Sequence, residues 1–132
     1  MSQQNVENAR MAIEAFNRGD RETAFERSHP DIEWVVARQH PSATTHRGPE
    51  AIAAYLREWQ EAVDQLEFRI ERAVDAGDAV VTIGKLRGVG VQSGAEIEIP
   101  IAVVSHMRDG MTVRVEEYLN EADALRAVGS TE

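Results

Sequence analysis

Cysteine is absent from this chain. That excludes disulfides, thiolate metal sites and a cysteine nucleophile, and it agrees with a reducing compartment. Long apolar runs are missing as well: no stretch approaches the roughly 20 residues needed to cross a bilayer. Positive charge is in deficit, with 14 Lys and Arg against 23 Asp and Glu and a formal net charge of −9. Phosphate backbones and anionic lipid surfaces attract basic faces, so nucleic acid and membrane are both disfavoured as partners. The first ten residues, MSQQNVENAR, lack the basic and apolar blocks of a secretory leader, and a cytoplasmic location is the expectation. Aromatics make up only 5% of the residues, so the positions of the few that occur carry weight. With 132 residues, 42% of them hydrophobic, residues 1–132 are expected to form a single domain around one core.

The first half of the chain has helical periodicity. Val6, Ala9, Ile13 and Phe16 recur on one helical face, and Gly19 is a natural stop. Asp20 can cap a second short helix that His29-Pro30 ends. Asp31 to Arg38, DIEWVVAR, is β-branched and aromatic and predicts a strand with Trp34 and Val36 on one face. Gln39 to Arg47 is polar, with two histidines and a proline, and predicts a loop. Gly48-Pro49-Glu50 opens a long helix with an apolar stripe of Ile52, Tyr55, Leu56, Trp59 and Val63.

The second half alternates with period two. Leu66, Phe68, Ile70 and Val74 share one face of a strand. Turns follow at Ala76-Gly77-Asp78, Ser93-Gly94 and Asp109-Gly110, and the last of these is a hairpin signal. Glycines at 84, 88 and 90 predict bends or bulges within a strand, and Pro100 predicts an edge or bulge in the next. On the last strand Val113, Val115, Glu117 and Leu119 fall on one face, which places a carboxylate in line with apolar side chains. Asn120 caps a final helix that stops at Gly129. Segregated helices and hairpin-linked strands give an α+β domain, with a twisted sheet curled around the long helix to leave a cavity.

Three segments, AFNRGDRETAFERSHPDIEW, HRGPEAIAAYLREW and RDGMTVRVEEYLNEADALRAVG, resemble in order and spacing the NTF2-like superfamily, and its SnoaL-like members especially. The resemblance runs from about Val6 to Gly129. It implies a cone, a curved antiparallel sheet wrapped around N-terminal helices, with a C-terminal helix. It also implies an apolar pocket, no metal or cofactor, and a homodimer paired through the outer sheet face, here Ala102, Val104 and His106. The superfamily contains isomerases, cyclases, epoxide hydrolases, dehydratases and non-catalytic binding modules, so the fold leaves the function open. The positions matching the polar groups of its steroid isomerases are Ala12, Val36 and Ser105, and two of these cannot handle a proton. Where epoxide-hydrolase-like members carry Arg and Asp, this chain offers Gly84 and Leu86. Only Glu117 matches a last-strand carboxylate.

The candidate acid/base is therefore Glu117, with Ser105 as a hydroxyl that polarises a substrate oxygen. Facing a dry cavity, Glu117 would serve proton transfer. Paired with a cation such as Arg72, it would be merely structural. Trp34, Tyr55, Trp59, His46, Val115 and Leu119 are the candidate ligand contacts, and ordinary packing is the competing account of the aromatic trio. His29, His40, His46 and His106 stand at no metal-binding spacing, so no metal is expected. The expected ligand is a small hydrophobic carbonyl compound. The expected activity is a cofactor-independent lyase, isomerase or cyclase reaction, and the alternative is a non-catalytic module that binds a small ligand or a protein.

Overall fold

The computed structural model of the chain describes residues 2–39 and 43–129; His40 lies outside them. Helix α1 (Ser2–Asn17) and short α2 (Arg21–Ala24) precede strand β1 (Ser28–Val35) and β2 (Thr45–Arg47). Then come α3 (Pro49–Ala62), four strands, β3 (Val63–Asp75), β4 (Ala79–Gly90), β5 (Glu96–Arg108) and β6 (Met111–Tyr118), and a final helix α4 (Glu121–Ala127). The caps lie where side-chain chemistry places them. Asp20 accepts from the Thr23 N–H at 3.2 Å, and Asn120 from the Asp123 N–H at 2.8 Å. Both satisfy a first-turn amide that has no intrahelical partner. Asp109 (φ 52°) and Gly110 (φ 78°) both take left-handed backbone, the geometry of a two-residue type I′ hairpin.

The six strands form one sheet in the order β2-β1-β6-β5-β4-β3. All neighbours are antiparallel except β1 and β6, which run parallel. The sheet is thus mixed, not wholly antiparallel. β1 reaches β6 from the other end of the chain, so no hairpin dictates their relative direction. Two bulges bend β3, between Asp64 and Glu67 and between Ile70 and Arg72. Gly84 and Gly88 on β4 face those bends. A Cβ on Gly84 would lie 1.9 Å from the Arg69 carbonyl oxygen, and one on Gly88 2.4 Å from Val63. Glycine is required here so that the backbones can approach closely and the sheet can curl. Pro100 falls where β5 pairs only with β4, because its pairing with β6 begins at Ala102. A missing ladder donor is tolerated there.

Two local expectations change. The strand expected from Asp31 begins earlier, at Ser28, because Ser28 pairs with Thr112 on β6. Pro30 falls within the register shift between Ser28 and Glu33, where no regular ladder bond is lost. The stretch read as a loop ends in β2, which pairs with β1 through Glu33–Arg47, Trp34–His46 and Val35–Thr45. Three residues are too few to leave a periodic trace.

Helices cover both faces of the sheet. Inside the curl, Ile32, Ile52, Phe68, Leu86, Val103 and Val115 form a buried cluster with α1 and α3 residues against it. Asn17 fastens the end of α1 to β3, donating to the Phe68 carbonyl at 3.0 Å and accepting from its N–H at 2.9 Å. On the outer face, Ala102 and Val104 are fully buried and cluster with Val81, Ile83, Ala124 and Leu125. The chain's own α4 therefore covers the apolar residues assigned to a partner surface. Of that trio only His106 is partly exposed.

Candidate active site

A cavity of about 130 Å³ lies between the concave sheet face and helices α1, α2 and α3. Its wall is mainly apolar: Ile13, Phe16 and Phe25 from the helices, and Phe68, Leu86 and Val103 from the sheet, are typical. Glu117 is the single ionisable side chain on that wall among the described residues. Trp34, Ser105 and Val115 line it with Glu117, as strand alternation predicts, and Trp59 joins them from α3.

Neutral donors hold the Glu117 carboxylate. Trp34 Nε1–H donates to Oε2 at 2.6 Å, the Tyr55 hydroxyl donates to the same oxygen at 2.8 Å, and the Ala37 backbone N–H donates to Oε1 at 3.3 Å. Behind them, Trp59 Nε1–H donates to the Tyr55 oxygen at 3.1 Å. The direction of this chain is fixed by chemistry, since an indole N–H only donates. The Tyr55 oxygen accepts from Trp59, which leaves its one proton for Glu117. A carboxylate has about four acceptor positions, and the three donors leave one for a ligand. Arg72, the cation considered as a partner for Glu117, instead pairs with Glu121 of α4.

Burial first, and then the neighbouring Glu117 charge, push Tyr55 far above the ordinary tyrosine range. Both effects favour the protonated hydroxyl, the form that donates to Glu117. Burial and Glu116 act the same way on Tyr118, and these are the chain's only two tyrosines. A pKa raised by folding contributes stability that is complete below the unfolded value, about 10, and is lost as pH climbs through the folded value. In a Tyr118→Phe background, tyrosinate absorbance should therefore be absent at pH 10 and emerge only with alkaline unfolding. An ordinary titration near pH 10 in the folded protein would contradict this placement of Tyr55.

Three sequence-predicted contacts fall off the wall. Tyr55 is buried behind Glu117, oriented by Trp59, and His46 on β2 stacks on Tyr55 with centroids 4.7 Å apart. Leu119 follows the end of β6, half-buried in the turn to α4. The expected inward position of Val113 goes to Thr112, because the register shifts between His106 and Met107 and leaves Val113 unpaired. Two groups had no sequence signal: the Ala37 amide, a backbone donor indifferent to residue type, and Ser28, in a segment read as pre-strand.

Outside the cavity, Glu116 faces the opposite side with Arg114 and Tyr118, as alternation requires. Arg114 bridges Glu33 at 2.7 Å and Glu116 at 3.1 Å, Arg47 adds to Glu33, and His106 meets Glu116 at 2.9 Å. The Arg47 hydrogen bond chiefly, with Arg114 assisting, lowers the Glu33 pKa. Burial acts to raise Glu116, but His106 and Arg114 together outweigh it and lower it. Depressed carboxylates stabilise the fold above their unfolded pKa, about 4.3, and lose that contribution as pH falls through the folded values. Arg114→Met should thus lower stability modestly at pH 7, with the difference from the unsubstituted protein fading below about pH 4. A difference that persists in acid would mean packing, not charge, is what Arg114 supplies.

Residues 9–115 match the SnoaL-like domain family. The chain belongs to this SnoaL-like family. Its fold is the NTF2-like α+β cone, shared with solved structures over nearly their whole length. An NTF2-like protein from Burkholderia xenovorans is 27% identical, with a TM-score of 0.77 and 98% of each chain covered. Bal32a, from a soil-derived mobile gene cassette, is 21% identical, with a TM-score of 0.82 over 96% of this chain and 97% of its own. A Jannaschia protein assigned as a SnoaL-like polyketide cyclase is 20% identical, with a TM-score of 0.80 over 99% and 95%. No curated protein matches the chain. Among the described residues no group of His, Cys, Asp or Glu side chains could hold a metal ion. No helix there is long and apolar enough to cross a membrane.

Proposed function

We propose that this SnoaL-like protein is a cofactor-independent enzyme that moves a proton on a small, mainly apolar carbonyl compound. The observation that carries the reading is the position of Glu117, the one ionisable group on an apolar wall, oriented by three neutral donors. In this reading the Glu117 carboxylate takes a proton from the carbon beside the carbonyl. The C–H electron pair moves into the carbonyl, forming an enolate. Ser105 is 7% exposed and lines the cavity. Val103 opposes Glu117 and Ser105 opposes Val115, so Ser105 and Glu117 are diagonal neighbours on adjacent strands, roughly 7–8 Å apart at the backbone. A carbonyl group with a hydrogen bond at each end spans such a gap, and Ser105 donates to its oxygen. Return of the proton at another carbon gives isomerisation, expulsion of a β-substituent gives a lyase, and attack on a second carbonyl gives a cyclase.

Size narrows the substrate. An apolar cavity of about 150 Å³ takes up benzene, so about 130 Å³ admits one ring and not a fused polycycle. Turnover of monocyclic ketones, and its loss in Glu117→Gln, tests the proposal. The same small volume, below the several hundred Å³ of most ligand pockets, favours a second reading in which the site binds a small molecule without reacting. That reading predicts ligand affinity that survives Glu117→Gln, with no turnover in either protein. A homodimer remains part of the proposal. Its surface would be the polar outer side of β1, β6 and β5 around Arg114, beyond the area α4 covers.

A further inference from the structure

The cavity has two polar ends, not one. Ser28 on β1 faces Thr112 on β6, while Trp34 faces Val115 two residues before Glu117. Ser28 and Thr112 therefore line the end remote from the carboxylate. Ser28 is half-buried at this end, a short polar side chain bordering the cavity. The Thr112 hydroxyl donates to Met107 Sδ at 3.3 Å, which leaves its oxygen open as an acceptor. Hydroxyls that border an apolar cavity normally meet a ligand or a water.

At this end the helical layer is also thin. Ala12, Ala24, Ser28 and Thr112 line both the cavity and a separate notch of about 10 Å³ between α1 and α2. That is close to the room one water needs. Asn8 borders the notch, is 6% exposed, and its side-chain Nδ2 has no partner. Small side chains and unused hydrogen-bonding groups thus gather at one place, opposite the acid.

We propose that Ser28 and Thr112 form a recognition subsite for a hydroxyl or carbonyl oxygen at the far end of the substrate. The substrate class is then a single apolar ring with a reacting ketone at one end and a hydrogen-bonding oxygen opposite. This rests on the reading of the cavity as the substrate site and adds to it what the far wall selects.

Cyclohexanone and 4-hydroxycyclohexanone are suitable probes. The chain's only two tryptophans, Trp34 and Trp59, both line the cavity, so their fluorescence reports occupancy. The hydroxylated ring should bind the unsubstituted protein about tenfold more tightly, the effect of one well-made buried hydrogen bond. Ser28→Ala, alone or with Thr112→Val, should erase that preference while leaving cyclohexanone affinity within about twofold. Equal affinities in the unsubstituted protein, or a preference that survives in Ser28→Ala and in the double variant, would overturn the subsite and leave the Glu117 proposal standing. Failure of both ketones to bind would overturn the subsite together with the ring-sized substrate. Because the first comparison uses the unsubstituted protein, poor folding of a variant leaves it decisive.

Discussion

Glu117→Gln should reduce kcat on a ketone substrate by roughly 10²–10⁴-fold, the usual contribution of a positioned acid/base group, and change KM by no more than a few fold. The amide matches the carboxylate in size, so the wall keeps its shape. Its oxygen replaces Oε2 between the Trp34 and Tyr55 donors. Its NH₂ then meets the Ala37 N–H that Oε1 accepted, a donor facing a donor. Stability should therefore fall by about 1–3 kcal/mol, the usual cost of leaving a buried group unpaired. Steady-state kinetics with a parallel urea titration separates the effects: the proposal requires a large loss in kcat and a small one in stability. Glu117→Asp retains the charge but withdraws it by one methylene and should recover only part of the rate.

The largest stability loss is expected from Ile52→Ala, at about 2–5 kcal/mol. Ile52 is fully buried on α3 and packs with Ile32, Phe68, Leu86, Val103 and Val115. It does not line the cavity, so its removal opens a separate hole between helix and sheet that rigid neighbours cannot close. Against the 5–15 kcal/mol that stabilises a typical domain, such a loss is large. Urea unfolding should show it as a lower midpoint with an unchanged slope. Leu56→Ala is the control: Leu56 is half-buried and already lines the cavity, so its truncation enlarges existing space and should cost less. Equal losses would mean that the layer between α3 and the sheet packs no better than the cavity wall.

Much of the fold was legible because it follows local rules. The Asp20 and Asn120 caps, the Asp109-Gly110 hairpin, the glycines opposite bends and the split of Glu116 from Glu117 all follow from spacing. What the sequence concealed depends on which segments pair and in what register. The parallel contact of β1 with β6, the three-residue β2 and the bulge at Val113 have no periodic signature of their own. The bulge matters most for the site, since it turns Thr112 inward in place of Val113. The outer apolar face at Ala102 and Val104 needs a cover, but spacing along β5 does not say whether α4 or another chain supplies it. For the candidate site, alternation placed Glu117, Ser105 and Val115 on the wall. It left Tyr55 undefined, because a helical stripe does not distinguish a residue that touches ligand from one that orients a carboxylate behind the wall. The Ala37 amide could not have been foreseen, since a backbone donor depends on how the chain turns after β1.

The central claim is that Glu117 removes a proton from a bound ketone. It is tested most directly by following hydrogen–deuterium exchange at the α-carbons of cyclohexanone in D₂O by NMR, with occupancy monitored through Trp34 and Trp59. The account predicts exchange well above the buffer rate with the unsubstituted protein, and exchange at the buffer rate with Glu117→Gln at equal occupancy. Equal exchange rates for the two occupied proteins, or no acceleration by the unsubstituted protein when the ketone is bound, would contradict it.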